Sequence, residues 1–310
     1  MPPATQTFKT PDGAQLAFRV HGPEHVGSVR PLVLIMGMSG VMEDWSPLVE
    51  ALAVSRPVLI SDHRAIGASL APPEWDMDLS HEGMALDVLH LVASLGKAWR
   101  SVDMLGWSMG GHILQVLLTL PSAKEAKQGG LDVEGIHVAH AILTGTMTKL
   151  PRGDFHPDMI AEAAAKAPKD QRKRIMSQML MEYQYFPEWL QSSQDNRDLV
   201  RRRVDVSLAT KRPQEIIGLQ IMAISNVDTR PELHRIPRSL PVLVIHGLRD
   251  RMVAYPESEV LMEHIKHAKR LQTPTDQIGH FWFDFLPGKY WRESIDEFLQ
   301  QQGTPGAAKL

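Results

Sequence analysis

Ser108 lies in the segment GWSMGG, with Gly106 and Gly110 on either side of it, between one apolar run and a second apolar run that has helical spacing. A strand that turns abruptly into a helix places its middle residue in a strained backbone conformation, and small neighbours make room for the turn. The turn raises the serine hydroxyl above the sheet, and the helix that follows begins with the N–H groups of Met109 and Gly110. This pattern predicts that Ser108 is a nucleophile, because a serine that only fills a crowded turn does not need glycine on both sides.

One of the 14 histidines lies where a serine nucleophile needs its base. His280 follows Gly279 in a loop late in the chain, and the order Ser…Asp…His places the base last. His246 ends a predicted strand, where packing of the turn is the simpler interpretation. We therefore expect His280 to accept the proton of the Ser108 hydroxyl.

A carboxylate must orient the imidazole and stabilise its charged form. Asp250 follows the predicted strand 242–247 by three residues, which places it at the carboxyl edge of the sheet. The competing interpretation is a solvated turn residue between two arginines. Asp154 and Asp228 are the rival carboxylates, and both lie in a segment with no strong strand candidate. Asp250 is therefore the predicted acid.

An alternation of apolar strands and amphipathic helices positions these residues. The predicted elements are a hairpin at 7–20, strands at 31–37, 57–62, 101–107, 138–145, 242–247 and 269–274, and helices at 44–54, 81–96, 110–120, 257–268 and 291–300. This order predicts an α/β fold, with a mostly parallel central sheet flanked by helices on both faces.

The alternation is interrupted before the strand that carries the acid. Four successive helices are predicted at 159–168, 171–186, 196–209 and 213–225. We predict an α/β core in two parts, 1–149 and 239–302, a helical lid at 150–238, and a flexible C-terminal tail at 303–310. The lid is expected over the sheet edge, where open α/β folds bind ligands.

Five segments in order resemble the α/β-hydrolase fold superfamily, from about residue 7 to residue 301. GWSMGG is similar to the nucleophile elbow of that family, and IMGMSG to its oxyanion loop. SDHRAIGAS resembles its D-x-R-G-x-G-x-S loop, HGLRDRMV the turn with the acid, and IGHFWF the loop with the histidine. Two positions depart from the pattern, since Met36 replaces a frequent histidine and Ala65 a usual glycine.

The resemblance implies a serine hydrolase of the lid-containing, esterase or lipase-like kind. Its oxyanion hole would be formed by the backbone N–H groups of Met38 and Met109. Because the donors are backbone groups, Met36 is expected to alter the support of the loop and not the chemistry. Dehalogenases and epoxide hydrolases of this fold carry aspartate at the elbow, so Ser108 argues against both.

The expected reaction is hydrolysis of a carboxylic ester, lactone or thioester of a small to medium apolar substrate, through an acyl-enzyme. Three other reactions of the family stay open, namely carbon–carbon bond hydrolysis, perhydrolysis and hydroxynitrile lyase activity. A ligand sensor that keeps the triad but turns over slowly is the alternative outside enzymes.

Methionine and aromatic side chains predict an apolar substrate pocket. Its candidate lining residues are Met38, Trp107, Met109, Tyr183 and Trp189. The alternative for the aromatic residues of the helical segment is packing against the core.

Composition limits the partners. With 43% apolar residues, 22% charged residues and a net charge of −3, the chain gives no argument for a nucleic-acid partner. No run approaches the roughly 18 apolar residues of a membrane span, so no integral membrane association is expected. The chain has no cysteine and no recognised metal or phosphate motif, so we expect no metal and no organic cofactor. The expected partner is a small-molecule acyl substrate, and a homodimer is left open.

The last three residues, Ala308, Lys309 and Leu310, resemble the S-K-L type of peroxisomal address. They follow a polar tail that contains glycine and proline, which would let a receptor reach the terminus. For a eukaryotic source we expect recognition by a peroxisomal import receptor, and otherwise a cytoplasmic location.

Overall fold

The computed structural model describes residues 2–150 and 157–301. Its strands are β1 (Gln6–Lys9), β2 (Gln15–His21), β3 (Leu32–Ile35), β4 (Val58–Ser61), β5 (Ser101–Trp107), β6 (Lys124–Glu125), β7 (Leu131–Val133), β8 (Ile136–Thr144), β9 (Val242–Ile245) and β10 (Lys269–Arg270). Its α-helices are α1 (Leu48–Leu52), α2 (His81–Ser94), α3 (Met109–Leu118), α4 (Pro157–Lys166), α5 (Arg172–Tyr183), α6 (Pro187–Ser192), α7 (Gln194–Ala209), α8 (Gln214–Ser225), α9 (Pro256–His264) and α10 (Gly288–Leu299). Asp154, the predicted tail and the C-terminal tripeptide lie outside the described residues.

The strands form one mixed sheet with a parallel centre. β1 and β2 are antiparallel to each other, and β2 is antiparallel to β4. The parallel part runs β4, β3, β5, β8, β9 and β10. The predicted fold class is confirmed. A short hairpin, β6 and β7, which the sequence did not predict, pairs antiparallel with the beginning of β8.

The core lies on both faces of the sheet, because successive side chains of a strand point to opposite faces. In β3, Val33 and Ile35 pack in one cluster with α2 and α3. Leu32 and Leu34 pack in the other cluster with α1 and α10. Strands buried on both faces read as continuous apolar runs, and for this reason the central strands could be predicted.

Five of the described helices, α4 to α8, lie between β8 and β9 in the chain; they are called the insertion below. The short helix α6 was not predicted. Whether the insertion is a lid, and where its boundaries fall, stay predictions. Among the described residues, no helix has the length and apolar character that crossing a bilayer requires.

A buried arginine joins the insertion to the core. Arg203 of α7 donates from Nε and Nη2 to the two carboxylate oxygens of Asp284, both at 2.7 Å. It also donates to the carbonyl oxygens of Asp44, at 3.1 Å, and Ser46, at 3.0 Å. Its guanidinium carbon lies 3.9 Å from the ring centre of Phe281. A planar group with five donors suits this site, because four acceptor oxygens from three residues surround it.

The substitution Arg203→Met is expected to destabilise the protein by about 3–5 kcal/mol, since it leaves the buried Asp284 carboxylate without its charged partner. Arg202→Met is the matched control, because Arg202 is an exposed neighbour on the same helix. Chemical denaturation of both variants measures the difference. Equal stability of the two variants would show that the Arg203 contacts do not hold the insertion.

Candidate active site

The turn at Ser108 has the strained geometry that the sequence predicts. Ser108 joins the end of β5 to the beginning of α3 with φ 56° and ψ −124°, a conformation that few non-glycine residues adopt. Its N–H donates to the Thr144 carbonyl at 2.9 Å. Its carbonyl accepts from Gly111 N at 2.9 Å and from the Thr146 hydroxyl at 2.6 Å. These three bonds hold the serine at the sheet edge.

The two elbow glycines are required by close backbone contacts. A Cβ on Gly110 would lie 2.0 Å from the Ile35 carbonyl oxygen, at the end of β3. A Cβ on Gly106 would lie 2.4 Å from the Gly110 carbonyl oxygen. The first turn of α3 therefore packs directly against the backbone of the neighbouring strand.

The predicted acid and base are in hydrogen-bond contact. His280 Nδ1 lies 2.7 Å from Asp250 Oδ2, and both residues are buried. The other oxygen, Oδ1, accepts the N–H groups of Met252 and Val253, both at 2.9 Å. The carboxylate is therefore fixed by its own turn, and the ring nitrogen that faces away from it, Nε2, is the one left for a reacting group.

Trp107 links the predicted nucleophile to the predicted base. Its indole N–H donates to the His280 carbonyl oxygen at 3.1 Å, and the two rings lie 5.4 Å apart. The residue directly before Ser108 thus contacts the backbone of His280. Within the described residues the Ser108 hydroxyl has no hydrogen-bond partner; catalytic hydrogen bonds often tighten only when substrate binds.

Two backbone N–H groups without a partner among the described residues lie beside Ser108. A Cβ on Gly37 would be 3.1 Å from Ser108 Cβ, so the loop after β3, residues 36–40, passes next to the serine. We call it the β3 loop. In the described part of the chain, no atom accepts a hydrogen bond from the N–H of Met38 in this loop or of Met109 at the start of α3. These are the two predicted oxyanion donors.

His246 is a second buried histidine beside Asp250. Its Nε2 lies 2.9 Å from the Val253 carbonyl oxygen and 3.5 Å from Asp250 Oδ2. Burial lowers its pKa. The neutral ring donates across the turn that also orients Asp250, so its place in the structure is that of a turn-packing residue.

A pair of buried histidines lies behind the elbow, between α2 and α3. His81 Nδ1 is 2.6 Å from His112 Nδ1, and His112 Nε2 is 3.1 Å from the Thr148 carbonyl oxygen. A carbonyl only accepts, so His112 carries its proton on Nε2 and His81 donates from Nδ1. Burial, together with the neighbouring imidazole of His112, lowers the pKa of His81 to about 3. Burial lowers the pKa of His112 to about 4.

The predicted pocket residues lie in two places, three of them in the segments beside Ser108 and two in the insertion. Met38 is half-buried against the core, and Trp107 and Met109 are buried. Tyr183 lies under the guanidinium of Arg251, 4.3 Å from its ring centre. Trp189 stacks on Tyr185 of the insertion, and its ring centre lies 4.8 Å from that of Phe285, which follows His280 by five residues. Contact of these five side chains with substrate stays a prediction.

The sequence did not reveal the contacts of the insertion with the loops that carry Met38 and His280. The N–H of His280 donates to the Gln184 carbonyl at 2.9 Å, and Gln220 and Arg212 bind the β3 loop at Ser39. A backbone carbonyl leaves no signal in a sequence. Gln220 could have been noticed as a polar residue on the apolar side of a predicted helix.

No group of three or more His, Asp or Glu side chains suited to a metal ion occurs within residues 2–150 and 157–301. The described site consists of a hydroxyl, an imidazole, a carboxylate and backbone N–H groups.

A family model described as the alpha/beta hydrolase fold matches residues 30–285. This chain belongs to the α/β-hydrolase fold family. The matched residues include the elbow, the β3 loop and the turns that carry the predicted acid and base. The resemblance read from the sequence is therefore confirmed at the level of the family.

Solved α/β-hydrolases share the fold over nearly the whole chain. The enol-lactonase from Burkholderia xenovorans LB400 has a TM-score of 0.70 and 21% identity, covering 93% of this chain and 97% of that one. The esterase from Exiguobacterium antarcticum has a TM-score of 0.72 and 18% identity, covering 97% and 100%. At these identities the likeness shows the fold.

A Caulobacter vibrioides protein named "Putative carbamate hydrolase RutD" is 34% identical over 119 residues. The match spans 37% of this chain and 40% of that relative. The chain thus matches about two fifths of the length of this curated relative.

The substitution Gly110→Ala is expected to cost about 3 kcal/mol or more, at the upper end of overpacking changes, and to abolish the activity proposed below. The first turn of α3 must move away from Ile35, and Ser108 moves with it. Gly218→Ala is the control, because a Cβ there meets nothing within 4 Å; a helical alanine should raise stability by up to about 1 kcal/mol. Melting temperatures measure both. A Gly110→Ala variant that melts with the parent would contradict the contact.

Stability is expected to fall as the pH drops from about 6.5 toward 4. In this range the two buried histidines, His81 and His112, are protonated in the unfolded chain but stay neutral in the folded protein. Their contribution to the free energy of unfolding is therefore complete above the pKa of the unfolded state and is lost as the pH falls below it. His81→Asn keeps a donor in place and removes one titration. From pH 7 to pH 5 it should lose about 2 kcal/mol less than the parent. His234→Asn, at an exposed site, should behave as the parent in urea denaturation; the same behaviour of His81→Asn would contradict the assignment.

Proposed function

We propose that this protein is a serine hydrolase that cleaves a carboxylic ester, lactone or thioester through an acyl-enzyme. The observation that carries the proposal is the pairing of His280 with Asp250 at 2.7 Å, directly against the elbow that presents Ser108. A strained serine, a base and a fixed carboxylate are the parts that nucleophilic acyl transfer needs.

The geometry supports a division of roles. His280 Nδ1 is held by Asp250, so Nε2 takes the proton from the Ser108 hydroxyl as the oxygen attacks the substrate carbonyl. The carbonyl oxygen becomes negative and is stabilised by the N–H groups of Met38 and Met109. His280 then returns the proton to the leaving group, and Asp250 stabilises the imidazolium in between. Water, activated by the same imidazole, releases the acyl group.

The surroundings support an apolar substrate of small to medium size. Met38, Trp107 and Phe281 lie within or beside the catalytic loops, and Trp107 and Phe281 are in edge contact at 4.6 Å. The aromatic side chains of the insertion lie against the loop that carries the base. The named activities of the relatives, an enol-lactonase, an esterase and a carbamate hydrolase, all cleave a bond at a carbonyl carbon.

Replacement of Ser108 by alanine is expected to lower kcat for short p-nitrophenyl esters by about 10³-fold or more, as loss of a triad nucleophile does. His280→Gln should cost a similar factor, and Asp250→Asn less. Ser122→Ala, at an exposed serine, is the control and should leave kcat unchanged. Steady-state kinetics with esters, lactones and acyl thioesters give both the factor and the preferred leaving group.

Covalent labelling checks the nucleophile independently of the choice of ester. A fluorophosphonate should modify the parent at Ser108, and Ser108→Ala should stay unlabelled. Parental turnover in Ser108→Ala would remove the proposal. Labelling with slow turnover of every substrate class would favour a ligand sensor instead.

A further inference from the structure

The β3 loop contains one residue whose two backbone polar groups are both bonded by the insertion. Ser39 directly follows Met38, and it has a positive φ of 57°, a conformation that strains a residue with a side chain. Its N–H donates to Gln220 Oε1 at 2.8 Å. Its carbonyl oxygen accepts from Arg212 Nη1 at 3.2 Å. Gln220 lies in α8, and Arg212 lies two residues before that helix.

The buried side chain of Gln220 makes a hydrogen bond to Ser39 and no other among the described residues. Its side chain is fully buried, and because Ser39 N–H is a donor, the amide oxygen must face it. The amide nitrogen has no hydrogen-bond partner among the described residues. A buried amide that uses only its acceptor is costly, so the bond to Ser39 is the interaction that this side chain provides.

Arg212 is held by Asp44, a core residue that also fixes the end of the β3 loop. Its Nη2 lies 3.0 Å from Asp44 Oδ2 in a buried ion pair. Asp44 Oδ2 also accepts the N–H of Val41, at 2.9 Å, directly after the β3 loop. The guanidinium therefore bridges the Ser39 carbonyl and the carboxylate that fixes the end of the loop.

Apart from the insertion, the described contacts of the loop include the packing of Met38 against the core, the approach of Gly37 to Ser108, and two hydrogen bonds. His63 Nε2 lies 2.8 Å from the Met36 carbonyl oxygen, and Gly40 N donates to the Gly37 carbonyl at 3.3 Å. The strained residue between these contacts, Ser39, is bonded only by Gln220 and Arg212 among the described residues. The Met38 N–H belongs to the preceding peptide, inside the turn that the Gly40–Gly37 bond closes. The insertion therefore acts on this N–H through the next peptide, Met38–Ser39, whose N–H it binds.

We propose that Gln220 and Arg212 are positioning residues that hold the Met38 N–H in the oxyanion hole. The hole is complete only while α8 is docked on the β3 loop. This inference rests on the proposed acyl hydrolase function. According to this inference, the insertion raises the rate of the chemical step by positioning the Met38 N–H, in addition to any contact with substrate.

The test is Gln220→Met, which keeps the size of the side chain and removes the acceptor. Outright removal of one oxyanion donor costs about 10²–10³ in kcat; a misplaced donor should cost about 10–100-fold. KM for the same p-nitrophenyl ester should stay unchanged, and the Ki of a boronic acid that mimics the tetrahedral intermediate should rise by the same factor as kcat falls. Gln214→Met, at an exposed glutamine of the same helix, is the matched control and should change neither.

Rescue separates positioning from stability. Gln220→Glu restores an acceptor oxygen and should recover most of kcat. Arg212→Lys keeps a charge beside Asp44 but loses the bond to Ser39, and should lower kcat with KM unchanged. These two variants also carry the test if Gln220→Met does not fold.

Unchanged kcat in Gln220→Met, or a fall in kcat without any weakening of boronic acid binding, would overturn the inference. So would a Gln220→Glu variant as slow as Gln220→Met. A parent protein that turns over no ester, lactone or thioester would instead contradict the proposed function, so the two failures are distinct.

Discussion

The backbone contact between the first turn of α3 and the carboxyl end of β3 is the constraint on which the site depends. Gly110 touches the Ile35 carbonyl so closely that no side chain fits between them. Because β3 and β5 are parallel neighbours, with Ile35 opposite Gly106, both chains leave the sheet at the same height. The β3 loop and the elbow therefore emerge side by side, and the free N–H groups of Met38 and Met109 belong to adjacent segments.

The proposed acid, Asp250, and the proposed base, His280, are placed beside these two segments by contacts of a different kind. Asp250 is set by the N–H groups of its own turn, and His280 is tied to the elbow through Trp107. The core positions Asp250 locally, whereas Trp107 positions His280 across 173 residues of chain. The insertion adds a further contact to His280, since the Gln184 carbonyl accepts its N–H.

The central strands and the elbow could be predicted because their physical causes are local in sequence. A continuous apolar run marks a strand buried on both faces, and two glycines mark the turn at Ser108. The β6 strand could not be predicted, since Lys124 and Glu125 are exposed and polar. The contact of Arg203 with Asp284 joins residues 81 apart, and no periodic pattern records it. Ala65 departs from the family glycine, yet it keeps the positive φ, 63°, that glycine favours.

The contacts of the insertion with the core limit its replacement by the corresponding segment of another α/β-hydrolase. The bond from Gln184 uses a backbone carbonyl, which any sequence with the same helix end supplies. Arg203, Arg212 and Gln220 instead recognise particular atoms of the core through their side chains. A transplanted segment from another member of the family would leave Asp284 and Ser39 without these partners. The insertion of this protein therefore cannot be exchanged by itself, and a chimera has to inherit these three side chains together with the helices that bear them.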